Sequence, residues 1–265
     1  MSKIIKILFI GDIIGQPGYK IVKLLLPGMI DKENIDFVIA NGENLSDGMG
    51  ILKRDSDELM QLPIDVLTGG NHTLDKIQSH KFINESSNIL RPMNYPKGVY
   101  GSGFGIFKTK NNGDKIAVIN LIGRIYMKPL DCPFRAFERV YDRIQNETKI
   151  IFVDFHAEAT SEKIAFGWFA DGKVSAVVGT HTHVQTADSR VLPNGTAYIT
   201  DVGMTGPYDS VIGMKKESSV KRYLYGTPFK HEVAEDDVKF AGVIISIDKE
   251  TGKAIKIQRI LKPEF

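Results

Sequence analysis

The pentapeptide Gly179-Thr180-His181-Thr182-His183 follows the apolar run at residues 174–178. Two imidazoles one residue apart, just past a buried strand, can point into a crevice at the carboxyl edge of a sheet, which is half of a metal site. Other apolar runs end the same way. Residues 6–11 deliver Asp12, residues 37–40 deliver Glu43 and Asn44, residues 65–68 run into Asn71 and His72, and residues 150–153 lead to His156. Each polar end taken singly could cap a helix or fill a turn. Together they form a set, because the carboxyl ends of parallel strands converge on one crevice.

Two carboxylates, two amides and four histidines make a mixed oxygen and nitrogen donor set suited to Fe, Mn, Zn or Co rather than calcium. Eight such side chains exceed what one tetrahedral zinc needs. Two divalent ions about 3.5 to 4 Å apart, bridged by a carboxylate and a hydroxide, would use them. Against the two charges of Asp12 and Glu43, such a pair leaves an excess of positive charge and favours an anionic substrate, above all a phosphate ester.

The elements that must position these residues follow from periodicity. The continuous apolar runs at residues 6–11, 37–40, 65–68, 150–153, 174–178 and 196–200 read as strands buried on both faces. Between them, residues 19–29, 54–62, 76–84, 134–144 and 161–169 carry helical spacing. Asp55 or Ser56 is the expected cap of the second helix, and Ser161 that of the last. Asn112-Gly113 signals a hairpin between residues 105–107 and 115–119, and residues 240–260 form a second hairpin. No linker or repeat divides the chain, so residues 1–265 are read as one α/β domain.

Composition narrows the function classes. Basic and acidic residues number 34 and 32, too even for a duplex nucleic-acid surface, so anion affinity must be local. Cys132 is the only cysteine, which excludes an intrachain disulfide and a cysteine zinc cage and fits a cytoplasmic setting. No stretch reaches the roughly 20 apolar residues of a membrane span.

These motifs resemble those of calcineurin-like metallophosphoesterases: Gly11-Asp12, Asn41-Gly42-Glu43-Asn44, Gly70-Asn71-His72, His156 and Gly179-Thr180-His181-Thr182-His183. More narrowly, Gly69-Gly70-Asn71-His72-Thr73, Asp154-Phe155-His156-Ala157-Glu158 and Thr200-Asp201-Val202-Gly203-Met204 resemble segments of the bacterial YmdB-like phosphodiesterases. The resemblance spans nearly the whole chain. It implies a four-layer α-β-β-α sandwich of two mixed sheets with the metals at the strand ends. It also implies that Asp12, Glu43, Asn44 and His183 hold one metal, that Glu43 bridges, and that Asn71, His156 and His181 complete the second. Fe or Mn is expected, with Zn as the alternative. His72 stays free near the leaving group, and a homo-oligomer is the family expectation. Ile14 stands where the wider superfamily has a histidine, with Asn44 as its replacement; Glu43 stands where it has an aspartate; and Leu74 stands where the narrower family has a tryptophan.

The implied activity is metal-dependent hydrolysis of cyclic nucleotides, 2′,3′-cyclic and secondarily 3′,5′-cyclic, to nucleoside monophosphates. A bridging hydroxide would attack phosphorus in line while His72 protonates the departing oxygen. The glycine-rich segments 47–50 and 203–206 are candidates for backbone contact with substrate, and Tyr208, Phe229 and His231 for the pocket wall. Arg124 and Arg135 read as surface ion-pair partners. Two rival classes stand beside this reading. A dinucleotide oxidoreductase fails because Gly11, Gly15 and Gly18 lack the Gly-x-Gly start. A non-catalytic regulator keeping the same metal site differs only in lacking turnover.

Overall fold

The computed structural model describes residues 3–263. The first part of the chain contains β1 (Ile4–Ile10), β2 (Asp12–Ile13), α1 (Gly15–Glu33), β3 (Phe37–Asn41), α2 (Lys53–Met60), β4 (Val66–Thr68) and α3 (Ser79–Glu85). A hairpin of β5 (Phe104–Lys108) and β6 (Lys115–Ile122) follows, then α4 (Pro133–Ile144), β7 (Ile151–His156), α5 (Thr160–Ala170) and β8 (Ala176–Thr180). The remaining elements are β9 (Arg190–Val191), β10 (Ala197–Ile199), β11 (Met204–Pro207), α6 (Lys216–Tyr225), β12 (Val238–Asp248) and β13 (Ala254–Lys262).

These strands form two mixed sheets. One has the order β2-β11-β12-β1-β3-β4, with β13 paired to β12; the other runs β5-β6-β7-β8-β10-β9. In the first, β1, β3 and β4 are parallel and β12 is antiparallel to β1. In the second, β6, β7, β8 and β10 are parallel, flanked by antiparallel β5 and β9.

Side-chain alternation turns the sheets into four layers. From β1, Ile5, Ile7 and Phe9 enter the seam between the sheets, where they meet Phe152, Ala176, Val178 and Ile199. Phe9 stacks on Phe152 with ring centroids 5.4 Å apart. Leu8 and Ile10 point the other way, onto Val22 and Leu26 of α1, Leu59 of α2 and Ile83 of α3. On the far side, Ile151, Val153 and Phe155 of β7 receive Phe137 of α4 and Phe166 of α5. Each such large apolar side chain contributes roughly 1.5–3 kcal/mol on full burial. The architecture is therefore the expected α-β-β-α sandwich.

The local differences have physical reasons. Helix α1 begins at Gly15, ahead of the apolar spacing that signals it, because Gly15 takes a left-handed φ of 52° at the turn out of β2. Neither Asp55, Ser56 nor Ser161 caps a helix: Leu52 precedes α2 and Ala159 precedes α5, and neither makes a side-chain cap. Asp55 instead accepts a 2.5 Å bond from Ser46 Oγ. Residues 203–206 do not form a loop free to meet substrate. Met204–Pro207 is strand β11, buried and paired with β2 and β12. Among the described residues, no helix is long and apolar enough to cross a membrane.

Candidate metal centre

The seam between the sheets changes character at its carboxyl end. Along β7 the inward face reads Phe152, Asp154, His156, and along β8 it reads Ala176, Val178, Thr180, so an apolar wall becomes a polar one within two residues. β1 opposite them hands the chain directly to buried Asp12. Just beyond β3, Glu43 and Asn44 are buried as well.

Seven of the eight side chains expected at the site come together, and the eighth, His72, lies at the rim. Glu43, His156 and His181 form one group that could hold a metal ion, and Asp12, Glu43 and His183 form another; within each group the ligand atoms lie within 4.8 Å of one another. Glu43 belongs to both. His156 Nε2 is 2.9 Å from Asn71 Oδ1, 3.0 Å from His181 Nδ1 and 3.2 Å from Glu43 Oε1. Asn44 Nδ2 lies 3.1 Å from Glu43 Oε1 and 3.2 Å from His183 Nε2. Asn44 thus presents its nitrogen to the group, and a half-turn of its amide would present the oxygen a metal requires. His72 sits at the rim: its backbone N–H donates to Glu43 Oε2, and its ring turns outward to Asp75.

This donor set fits a cation. One N–H on His156 Nε2 can satisfy only one of the three acceptors around it, whereas a cation among them accepts lone pairs from all. Among the described residues, Asp12 Oδ1 is the buried side-chain polar atom without a hydrogen bond. Gly70 keeps the space open, since a Cβ there would lie 2.3 Å from Glu43 Oε2 and 2.4 Å from His156 Nε2.

Each histidine is oriented from behind. Thr180 Oγ1 donates to Asp154 Oδ1 at 2.7 Å, so its oxygen is left to accept from His156 Nδ1 at 2.9 Å. His183 Nδ1 donates to the Ile212 carbonyl at 2.9 Å. His181 Nε2 faces Glu158 Oε2 at 3.1 Å. In all three the opposite nitrogen faces the centre, an arrangement that fixes metal-binding tautomers. Asp154 is itself held by Thr68 Oγ1 at 2.5 Å and Asn41 Nδ2 at 3.1 Å.

The histidine loop is strained and braced. His181 and His183 have φ of 103° and 66°, conformations that cost of order 1–3 kcal/mol each in a residue with a side chain. His181 N–H donates to Asp12 Oδ2, and Thr182 N–H to Asp201 Oδ2. Asp201 is paired with Lys163 of α5 at 2.7 Å in the interior. At Gly179 the chain passes so close to β10 that a Cβ would fall 1.8 Å from the Thr200 carbonyl oxygen.

Electrostatics separates these groups. Burial raises Asp12 well above the usual carboxylate range; His156 opposes this, and Glu43, Asp201 and Asp154 add to it. Glu43 is also pushed up by burial, but the charge and hydrogen bond of His156, with His72, outweigh it and hold Glu43 low. Burial, followed by the charge of His156, brings His181 down to about 3, and burial lowers His183 too.

A family model described as YmdB-like protein matches residues 8–260 of the chain. The chain belongs to the YmdB-like family. It is related through that family to the calcineurin-like phosphoesterases, as its motifs led one to expect. The 2′,3′-cyclic-nucleotide 2′-phosphodiesterase of Bacillus subtilis (strain 168) is 50% identical to it over 256 residues, 97% of this chain and 96% of that one. A phosphatase from Mycoplasma pneumoniae superposes with a TM-score of 0.91 at 36% identity, covering 98% and 94% of the two chains. The 5′-nucleotidase of Candida albicans SC5314 shares the fold alone, with a TM-score of 0.58 at 13% identity over 97% of this chain and 50% of that one.

In this YmdB-like chain Glu43 and Asn44, which depart from the wider pattern, lie in the centre itself, whereas the other two departures pack against apolar neighbours. Ile14 is buried against Met204 and Met214, and Leu74 packs toward the helix side of the first sheet. Tyr208 is structural: its hydroxyl donates to the Met204 carbonyl at 3.0 Å. Arg135 pairs with Glu138, whereas Arg124 offers its backbone N–H to Glu162. Sequence reasoning gave no role to Asp75, Lys128, Glu158 or Thr180. Asp75 holds His72 Nδ1 at 2.7 Å and is itself met by Lys128 at 3.2 Å. The spacing His72-x-x-Asp75 was the available signal for that pair.

Proposed function

We propose that the chain is a metal-dependent phosphodiesterase that opens nucleoside 2′,3′-cyclic phosphates to nucleoside monophosphates. The observation that carries this reading is Glu43, buried and common to two ligand groups at the strand ends. The half-identical Bacillus relative, a 2′,3′-cyclic-nucleotide 2′-phosphodiesterase, supports it. In this proposal Asp12, Glu43, Asn44 and His183 would hold one divalent ion, and Glu43, Asn71, His156 and His181 the other. Fe or Mn suits the mixed carboxylate, amide and imidazole set, with Zn as the alternative. When bound, the ions supply Lewis acidity toward the phosphate oxygens and the attacking water.

The remaining chemistry belongs to side chains. With Nδ1 engaged by Asp75, His72 has its Nε2 edge available to the oxygen that leaves phosphorus. As water forms the new P–O bond and loses a proton to solvent, the P–O2′ bond breaks, His72 gives its proton to O2′, and Asp75 stabilises the orientation of the ring. Such a positioned acid contributes about 10²- to 10⁴-fold in rate. Lys128, bonded to Asp75 and to the Asn71 carbonyl, ties the acid to the residue beside it.

The test is product analysis after incubation of the Mn²⁺-loaded protein with adenosine 2′,3′-cyclic phosphate. Nucleoside 3′-monophosphate is expected. Exclusive formation of the 2′ isomer would reverse the assigned leaving oxygen, and turnover of only a 3′,5′-cyclic nucleotide would replace the substrate class.

A further inference from the structure

Beyond the centre, residues 215–231 carry five basic residues, Lys215, Lys216, Lys221, Arg222 and Lys230, against the single acid Glu217. Acidic residues Asp209, Glu232, Glu235, Asp236 and Asp237 flank the stretch, so its positive charge is confined to these positions. Aromatic rings are interleaved with it, and α6 buries none of its residues: Tyr223 is 81% exposed and Tyr225 66%. Basic side chains alternating with open aromatic faces are the combination that binds single-stranded nucleic acid, by stacking bases and following the backbone.

Ion pairs to acids just outside the stretch leave part of that charge over. Lys215 and Lys230 meet Glu232, and Lys216 meets Asp209. Among the described residues, Arg222 has no carboxylate partner in hydrogen-bond or ion-pair contact. Its Nη1 donates to His231 Nε2 at 2.7 Å, which orients the guanidinium without neutralising it. A fork with unused donors beside aromatic rings suits a phosphate.

Two links tie the stretch to residues of the centre. Arg222, Tyr223, Phe229 and His231 line a groove of about 490 Å³ together with Met49, on the loop five residues past Asn44. The adjoining cavity is walled by Ile212, whose carbonyl holds His183. The groove is of the size that takes a small ligand.

We propose that this groove binds the nucleotides on the 5′ side of a terminal 2′,3′-cyclic phosphate, with bases on Tyr223 and Phe229 and a backbone phosphate at Arg222. The preferred substrate is then the 3′ end of a short single-stranded oligoribonucleotide rather than a free mononucleotide. This rests on the phosphodiesterase reading above.

The experiment compares kcat/KM on a trinucleotide ending in a 2′,3′-cyclic phosphate with that on adenosine 2′,3′-cyclic phosphate, using the Mn²⁺-loaded full chain. Anisotropy of a fluorescent trinucleotide 3′-phosphate gives binding independently of turnover. The wild type should prefer the trinucleotide by on the order of tenfold, the scale of one stacked base. The Arg222→Ala, Tyr223→Ala double variant, altered only at exposed positions, should bring that ratio close to one and weaken the anisotropy Kd about as much. A wild-type ratio of one, or a ratio that survives the double variant, overturns the proposal. A wild type that turns over neither substrate fails the phosphodiesterase reading instead; anisotropy binding lost in the double variant then still supports the groove, and binding unchanged in it overturns it.

Discussion

His156 reaches Thr180 through a 2.9 Å contact from Nδ1 to Oγ1, and that contact decides which imidazole nitrogen faces the centre. Thr180 can accept there because its own proton is committed to Asp154. Thr180→Val keeps the shape and removes both bonds. Metal affinity should fall about 10- to 100-fold, the usual cost of losing a partner behind a metal-binding histidine. Thr180→Ser should restore most of it. Equal metal affinity in Thr180→Val and wild type, by chelator competition, would show that the hydroxyl does not orient the ring.

A proton competes with metal at the same nitrogen. Burial opposes charge on His156, but the charge and hydrogen bond of Glu43, then Asp12 and Asp154, override it and raise His156 from 6.5 to about 9. In the ion-free chain Nε2 therefore carries a proton at neutral pH. Apparent metal affinity should rise with pH up to about 9, and calorimetry in buffers of different ionisation enthalpy should detect a released proton. The ion-free chain behaves oppositely in stability. Its folded value lies above the unfolded one, so the contribution of His156 is full below pH 6.5 and is lost as pH rises through about 9. Metal affinity independent of pH across that window would contradict the proposed role of His156.

Asp75 holds the outward nitrogen of His72 at 2.7 Å, which makes it a positioning residue for the leaving-group acid. Asp75→Asn should reduce kcat by about 10- to 100-fold on diesters with alkoxide leaving groups, with KM little changed, since it misplaces without removing an acid that contributes about 10²- to 10⁴-fold. A p-nitrophenolate leaving group needs no proton and should suffer far less. Equal losses on both classes of substrate would remove His72 and Asp75 from the protonation step.

Much of this was legible in the chain because strands buried on both faces write themselves as continuous apolar runs, and the residue after each run is forced to the sheet edge. Asp12, Glu43, His156 and His181 could be placed that way. The supporting partners could not, because Thr180, Asp154 and Glu158 acquire roles only when neighbouring strands fix their register. The short strands β2 and β11 were hidden, since their pairing partners lie about 190 residues apart in sequence. Helix α6 escaped for another reason: with no buried face it has no apolar stripe to betray it, although Gly226 ends it in a left-handed cap.

The most direct measurement is hydrolysis of bis-p-nitrophenyl phosphate by the purified chain reconstituted with Mn²⁺ or Fe²⁺, beside a chelated sample and His181→Ala. The expected result is metal-dependent turnover that disappears on chelation and falls by at least about 100-fold in a folded His181→Ala, consistent with loss of a metal ligand. Turnover that persists in the chelated sample, or none from a folded and metal-loaded wild type, would contradict a metal-dependent phosphodiesterase centre at the strand ends.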